Sequence, residues 1–117
     1  MKLNFITIYV RNLAASEAFY TELAGLSVQR RLQPKGLEIT FLGNVEGETS
    51  LELIQGAPEP VSAQGLVLSF RAPEPLALTR RKAVELGYEP SEIQSGGPKP
   101  DSFTVKDPDG ITVEFGV

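Results

Sequence analysis

Apolar and polar side chains alternate from Phe5 to Val10, with Ile6, Ile8 and Val10 on one side and Phe5, Thr7 and Tyr9 on the other. This run predicts a first strand within residues 2–10. The period then lengthens. Leu13, Ser16, Phe19/Tyr20 and Leu23 follow at helical spacing, behind Asn12, whose side chain suits an N-cap, and ahead of Gly25, a left-handed stop. Residues 26–33, 36–42 and 48–55 return to strand-like composition, separated by turns at 34–36 and 43–47. The first module therefore reads β-α-β-β-β.

Residues 56–64 carry Pro58 and Pro60 without periodicity and read as a linker. Leu66–Ala72 is a strand, and Pro75 fits the first position of a helix whose buried stripe is Leu76, Thr79, Ala83 and Leu86, ending at Gly87. A weaker strand is expected over Tyr88–Ile93, then a loop at Ser95–Asp101 that suits a flap. The chain closes with two strands around Asp107-Pro108-Asp109-Gly110, where proline fixes φ and glycine accepts a positive one.

The two halves match at an offset of 62 positions. Leu51-Glu52-Leu53 falls on Val113-Glu114-Phe115, Phe41 on Phe103, Gly25 on Gly87, and Ile6, Ile8 and Val10 on Leu68, Phe70 and Ala72. A fixed offset across so many points implies two copies of one supersecondary unit. Module one spans 1–55, the linker 56–64 and module two 65–117, within one α+β domain.

Composition narrows the chemistry. The chain has neither cysteine nor histidine, which removes disulfides, thiolate catalysis and every imidazole ligand, shuttle or triad base. A net charge of −4 argues against nucleic acid as partner, because phosphate binding needs a basic surface. No apolar run approaches membrane-spanning length and no signal-peptide pattern opens the chain, so no membrane partner and a cytoplasmic location are expected.

The stretch Ile8–Tyr20, the Leu51-Glu52-Leu53 strand and the closing Asp107–Phe115 resemble the vicinal oxygen chelate superfamily, also called the glyoxalase/bleomycin resistance/dioxygenase family. With the repeat, the similarity covers essentially the whole chain. The resemblance implies tandem βαβββ modules whose strands form a curved mixed sheet around a cup, with helices outside, and a homodimer. Metal-dependent relatives hold a divalent ion through His and Glu side chains. Their Glu places match Glu52 and Glu114, but their His places match Phe5 and Val67, with Leu66 the alternative to Val67. Half of that ligand set is absent, so neither metal nor cofactor is expected.

Glu52 and Glu114 each sit between apolar neighbours that face the other way. Both therefore point inward if the strands bend around the cup, either satisfied by Arg, Tyr or water or orienting a ligand. Two carboxylates in a semi-apolar cavity would raise one pKa, as a general acid/base requires. Arg71 shares the parity of Val67 and Ser69 and either neutralises a glutamate, clamps an anion or snorkels at the rim. Tyr9 either donates a hydrogen bond in the cup or lines the core. Phe41 and Phe103 read as packing, and Arg30-Arg31 and Arg80-Arg81-Lys82 as solvated surface.

The expected function is metal-independent binding of a small organic ligand, planar or partly cationic, as in the drug-sequestering members of the family. Its site would be lined by Phe5, Thr7, Tyr9, Glu52, Ile54, Val67, Ser69, Arg71 and Glu114. The alternative is a lyase- or isomerase-type enzyme that uses the Glu52 and Glu114 carboxylates as catalytic groups, with no metal or an incomplete metal site.

Overall fold

A computed structural model describes residues 1–57 and 63–117, so most of the expected linker lies outside the described residues. The chain divides into two compact units, Met1–Ser62 and Ala63–Val117. Both are mixed α+β, as the periodicity requires. No helix among the described residues is long and apolar enough to cross a membrane.

In the first unit β1 (Phe5–Tyr9) leads through Asn12 into helix α1 (Leu13–Ala18). Three antiparallel-linked strands follow: β2 (Ser27–Leu32), β3 (Glu38–Gly43) and β4 (Ser50–Gln55). The sheet order is β1-β4-β3-β2, with β1 parallel to β4. Asn12 caps as expected, in extended geometry, accepting from the Ala15 N–H at 3.0 Å. The helix then widens into a π-turn over Phe19–Leu23. There the Thr21 hydroxyl takes the Glu17 carbonyl at 2.7 Å, and the Ala24 N–H reaches back five residues to Phe19. The wider turn lets two consecutive rings face inward. Phe19 and Tyr20 are both fully buried, edge to face with centroids 4.9 Å apart. Together with Ile8, Leu42, Leu51 and Leu53 they form the core of this unit.

A bulge interrupts β2 between Val28 and Arg30. It changes the parity of the strand, leaving Arg30 opposite Phe41 on one face and Arg31 opposite Thr40 on the other. Arg31 meets Glu17 at 3.2 Å on the helix side.

In the second unit β5 (Val67–Arg71), helix α2 (Leu76–Glu85), β6 (Ser102–Lys106) and β7 (Thr112–Gly116) form a sheet of order β5-β7-β6. The core is a stack: Phe115 lies nearly parallel to Phe70 at 5.8 Å and to Phe103 at 5.4 Å. Leu76 and Ala83 of α2 are buried as expected, but Leu86 is 37% exposed because the helix has ended there. Pro75 stands at the N-cap, one position before the first helical residue Leu76, and not at the first helical position expected for it.

The expected strand at Tyr88–Ile93 is not formed; the one ladder-type bridge to β6 among the described residues comes just after it, Gln94 to Ser102. Pro90 offers no N–H to a ladder. Ser91 then diverts the rest. Its N–H bonds to the Thr104 carbonyl, but the Thr104 N–H is met by the Ser91 hydroxyl at 2.9 Å, and the Ser91 carbonyl accepts from Arg80 Nε at 2.8 Å. Arg80 also meets Glu92 at 3.2 Å, so it ties α2 to this segment rather than standing free in solvent.

The turn at Asp107–Gly110 is built as the sequence implies. The buried Asp107 carboxylate accepts from the N–H groups of Asp109 and Ile111 at 2.8 and 2.9 Å, and Gly110 takes φ +85°.

Candidate functional site

Each unit repeats one polar contact. Thr7 on β1 lies opposite Glu52 on β4, and its hydroxyl donates to the carboxylate at 2.6 Å. Ser69 on β5 lies opposite Glu114 on β7 and does the same at 2.8 Å. Both pairs face away from the helix-packed core, because the flanking Leu51, Leu53, Val113 and Phe115 are buried on the other side. The partners are hydroxyls on the parallel neighbour strand, not the Arg, Tyr or water expected. Thr7 and Ser69 obey the same offset as the glutamates, so this signal was available in the sequence.

Around the shared motif the two faces differ. In the first unit, Glu52 is also directly opposite Phe41, and the Phe41 ring meets Phe5 edge to face at 5.5 Å. Phe5 is 45% and Tyr9 41% exposed, so Tyr9 does not line the core; Ile54, opposite Tyr9, is buried beneath this face. Phe41 was read as packing, yet it stands beside the candidate carboxylate. No cation is paired with Glu52 among the described residues.

In the second unit Glu114 has a cation. Lys99, from the loop expected to be a flap, places Nζ 3.4 Å from the carboxylate. The Ser69 hydrogen bond, helped by Lys99 and opposed by burial, holds the Glu114 carboxyl below the ordinary glutamate value. The expectation of a raised carboxyl is therefore reversed at Glu114. A cleft of about 340 Å³ opens here, lined by Ser69, Arg71, Lys99, Ser102, Glu114 and Gly116 among others. Val67 is 52% exposed farther along β5, on the same face.

Strand register corrects the simple repeat. Phe41 lies opposite Glu52, but Thr104, not Phe103, lies opposite Glu114, a spacing of 63 rather than 62 on this strand. The cause is the hairpin: eight residues separate the paired Leu42 and Leu51, and seven separate the paired Val105 and Val113. Thr40 and Phe41 consequently stand where Phe103 and Thr104 stand in the other unit. Phe103 is 1% exposed in the core, whereas Thr40 is fully buried in that place and its hydroxyl has no hydrogen-bond partner. A hollow of about 700 Å³ lies beside Thr40 on the helix side, bounded also by Leu13, Glu17, Arg31 and Gln55.

Neither carboxylate fits a divalent-ion site. Glu52 shares its strand pair with a hydroxyl and two phenyl rings, and the Glu114 carboxylate is met by an ammonium that opposes any further cation. The positions that match imidazoles in metal-dependent relatives carry a phenyl ring at Phe5 and an isopropyl group at Val67. Among the described residues no three His, Cys, Asp or Glu side chains gather as a ligand cluster.

Residues 2–115 match the family model of the Glyoxalase/Bleomycin resistance protein/Dioxygenase superfamily. The chain is 32% identical over 114 residues to the uncharacterized protein YwbC of Bacillus subtilis (strain 168), covering 92% of this chain and 90% of that one. Among solved structures it resembles TnmS3, an antibiotic binding protein from Streptomyces sp. CB03234, with TM-score 0.78, 19% identity and coverage of 99% and 94%. It also resembles the fosfomycin resistance protein FosX from Mesorhizobium loti, with TM-score 0.76, 15% identity and coverage of 97% and 89%. At these identities the two structural likenesses speak for the fold alone.

Proposed function

The chain belongs to the glyoxalase/bleomycin resistance/dioxygenase superfamily, and from that premise we propose that it captures a small organic ligand without transforming it. The observation that carries this reading is the first-unit face: Glu52, a carboxylate with no cation paired to it among the described residues, beside the exposed Phe5 and its edge-to-face partner Phe41. Flat aromatic surface next to a negative charge suits a planar ligand bearing a positive or hydrogen-bond-donating group. Thr7 keeps the carboxylate aimed while leaving its second oxygen for the ligand. Tyr9 extends the apolar surface beside the buried Ile54. In the second unit Val67, Ser69, Arg71 and Glu114 lie on the corresponding face of that unit's own sheet.

The low Glu114 carboxyl favours capture over acid/base catalysis, since a carboxylate fixed by a hydroxyl and an ammonium is a poor proton carrier near neutral pH. The relatives called an antibiotic binding protein and a fosfomycin resistance protein make a drug or drug-like metabolite the first class to screen. The protein would act in the cytoplasm as a homodimer, which light scattering in solution checks directly.

The test is a thermal-shift and native-mass screen of planar cationic and zwitterionic compounds. Hits are expected to leave the protein chemically unchanged and to weaken roughly tenfold in Glu52→Gln and in Phe41→Ala. Turnover of a hit, or binding indifferent to both substitutions, would overturn the reading.

A further inference from the structure

We propose that the cleft of the second unit is by itself a subsite for an oxyanion, a carboxylate or phosphate-type group, an inference that goes beyond the capture reading above. The cleft brings together two cations, Arg71 and Lys99, and one carboxylate, Glu114. Glu114 is already engaged by the Ser69 hydroxyl at 2.8 Å and Lys99 at 3.4 Å. Its charge is thus balanced locally, and the guanidinium of Arg71 is left over.

Arg71 is exposed, and among the described residues no carboxylate pairs with it. A guanidinium presents a planar fork of donors that matches two oxygens of one oxyanion. The floor beneath it is open. Gly116 lies opposite both Arg71 and Ser102, so the position between them has no side chain. A Cβ there would meet only ordinary contacts, at 3.4 Å and beyond. The hollow therefore depends on the missing side chain rather than on a crowded backbone. The Ser102 hydroxyl borders the same space. Lys106 lies four residues along β6 from Ser102 on this face, its ammonium donating to Thr112. Among the described residues the strands and cleft loop give this face three cations and one acid, whereas the Glu52 face carries one of each, Arg30 and Glu52, beside its aromatic rings. Ser69 and Glu114 act here as positioning residues, holding the Lys99 ammonium at the cleft edge.

The experiment uses the full chain, labelled with ¹⁵N, at low ionic strength. Sodium phosphate and sodium acetate are titrated separately, with sodium chloride as the matched control. Saturable amide shifts at Ser69, Arg71, Lys99, Ser102 and Gly116, with Thr7 and Glu52 unmoved, are the expected result; the stronger of the two anions identifies the group. Arg71→Ala should weaken the fitted affinity roughly tenfold, and added salt should weaken it further. Gly116→Val keeps every charge and should abolish saturation by filling the floor; retained amide dispersion confirms that it folds. Shifts no larger than with chloride, or equal affinity in Arg71→Ala, would overturn the subsite. The two readings fail separately: anion saturation without capture of any organic compound sinks capture alone, and capture of an organic compound without anion saturation sinks the subsite alone.

Discussion

The two units share a motif and have put it to different uses. In both, a hydroxyl on the first strand donates to a glutamate directly opposite on the last, Thr7 to Glu52 and Ser69 to Glu114. In the first unit an aromatic ring stands across from that glutamate and no cation among the described residues pairs with it. In the second a threonine stands across from it and a lysine neutralises it. The backbone scaffold tolerates either arrangement because both sit on the face away from the core. A duplicated frame can thus offer two different surfaces while keeping one strand pairing around the glutamate.

The contrast is sharpest at the two phenylalanines that a plain offset equates. Phe103→Ala removes a core ring stacked on Phe115 and should cost about 3–5 kcal/mol. Phe41→Ala removes a half-buried ring and should cost only about 1 kcal/mol while weakening ligand capture. Urea unfolding of the two variants side by side decides it; equal losses would mean that Phe41 is core after all.

The residues beside them should respond in the opposite sense. Thr40→Val replaces a buried hydroxyl that has no partner and is expected to stabilise the protein by about 1 kcal/mol. Thr104→Val, on the outward face of β6, should be close to neutral. A destabilising Thr40→Val would show that the hydroxyl has a partner in solution.

Acid titration separates Glu114 from its replacement. Its carboxyl lies below the ordinary value, so the ionised form adds stability above that value, and the gain disappears as pH falls through the lowered one. The gap in melting temperature between the native protein and Glu114→Gln should therefore be present at neutral pH and close in acid, below about 4.5. A gap that widened on acidification would reverse the assignment. Smallest of all is Lys99→Ala. The lysine side chain is 76% exposed, so its loss should change stability by only a few tenths of a kcal/mol, detectable mainly through a rise in the Glu114 carboxyl pKa by NMR.

Much of this architecture was legible from residue spacing. The Asn12 cap, the helix stops at Gly25 and Gly87, six of the seven strands within a residue or two and the Asp107 turn all follow from local chemistry that tertiary packing does not override. That Glu52 and Glu114 face away from their flanking residues was legible because those neighbours are apolar. What could not be read was anything that depends on strand register. Phe41 and Thr40 exchange faces through one additional hairpin residue, which leaves the linear alignment of the glutamates intact. Lys99 was missed because its role arises from a loop folding back over fifteen residues to Glu114, with no periodicity to announce it. The strand at Tyr88–Ile93 failed because Ser91 and Arg80 offered its backbone other partners.

The longer connection between β3 and β4 has a practical corollary. A binding surface of this kind can be rewritten by changing the length of a bend, with no substitution on the surface itself, because shortening it by one turns the incoming strand over like a page. Indel libraries in the segment 44–49 would accordingly exchange the chemistry presented to a ligand in single steps that point mutation reaches only through several unfavourable intermediates.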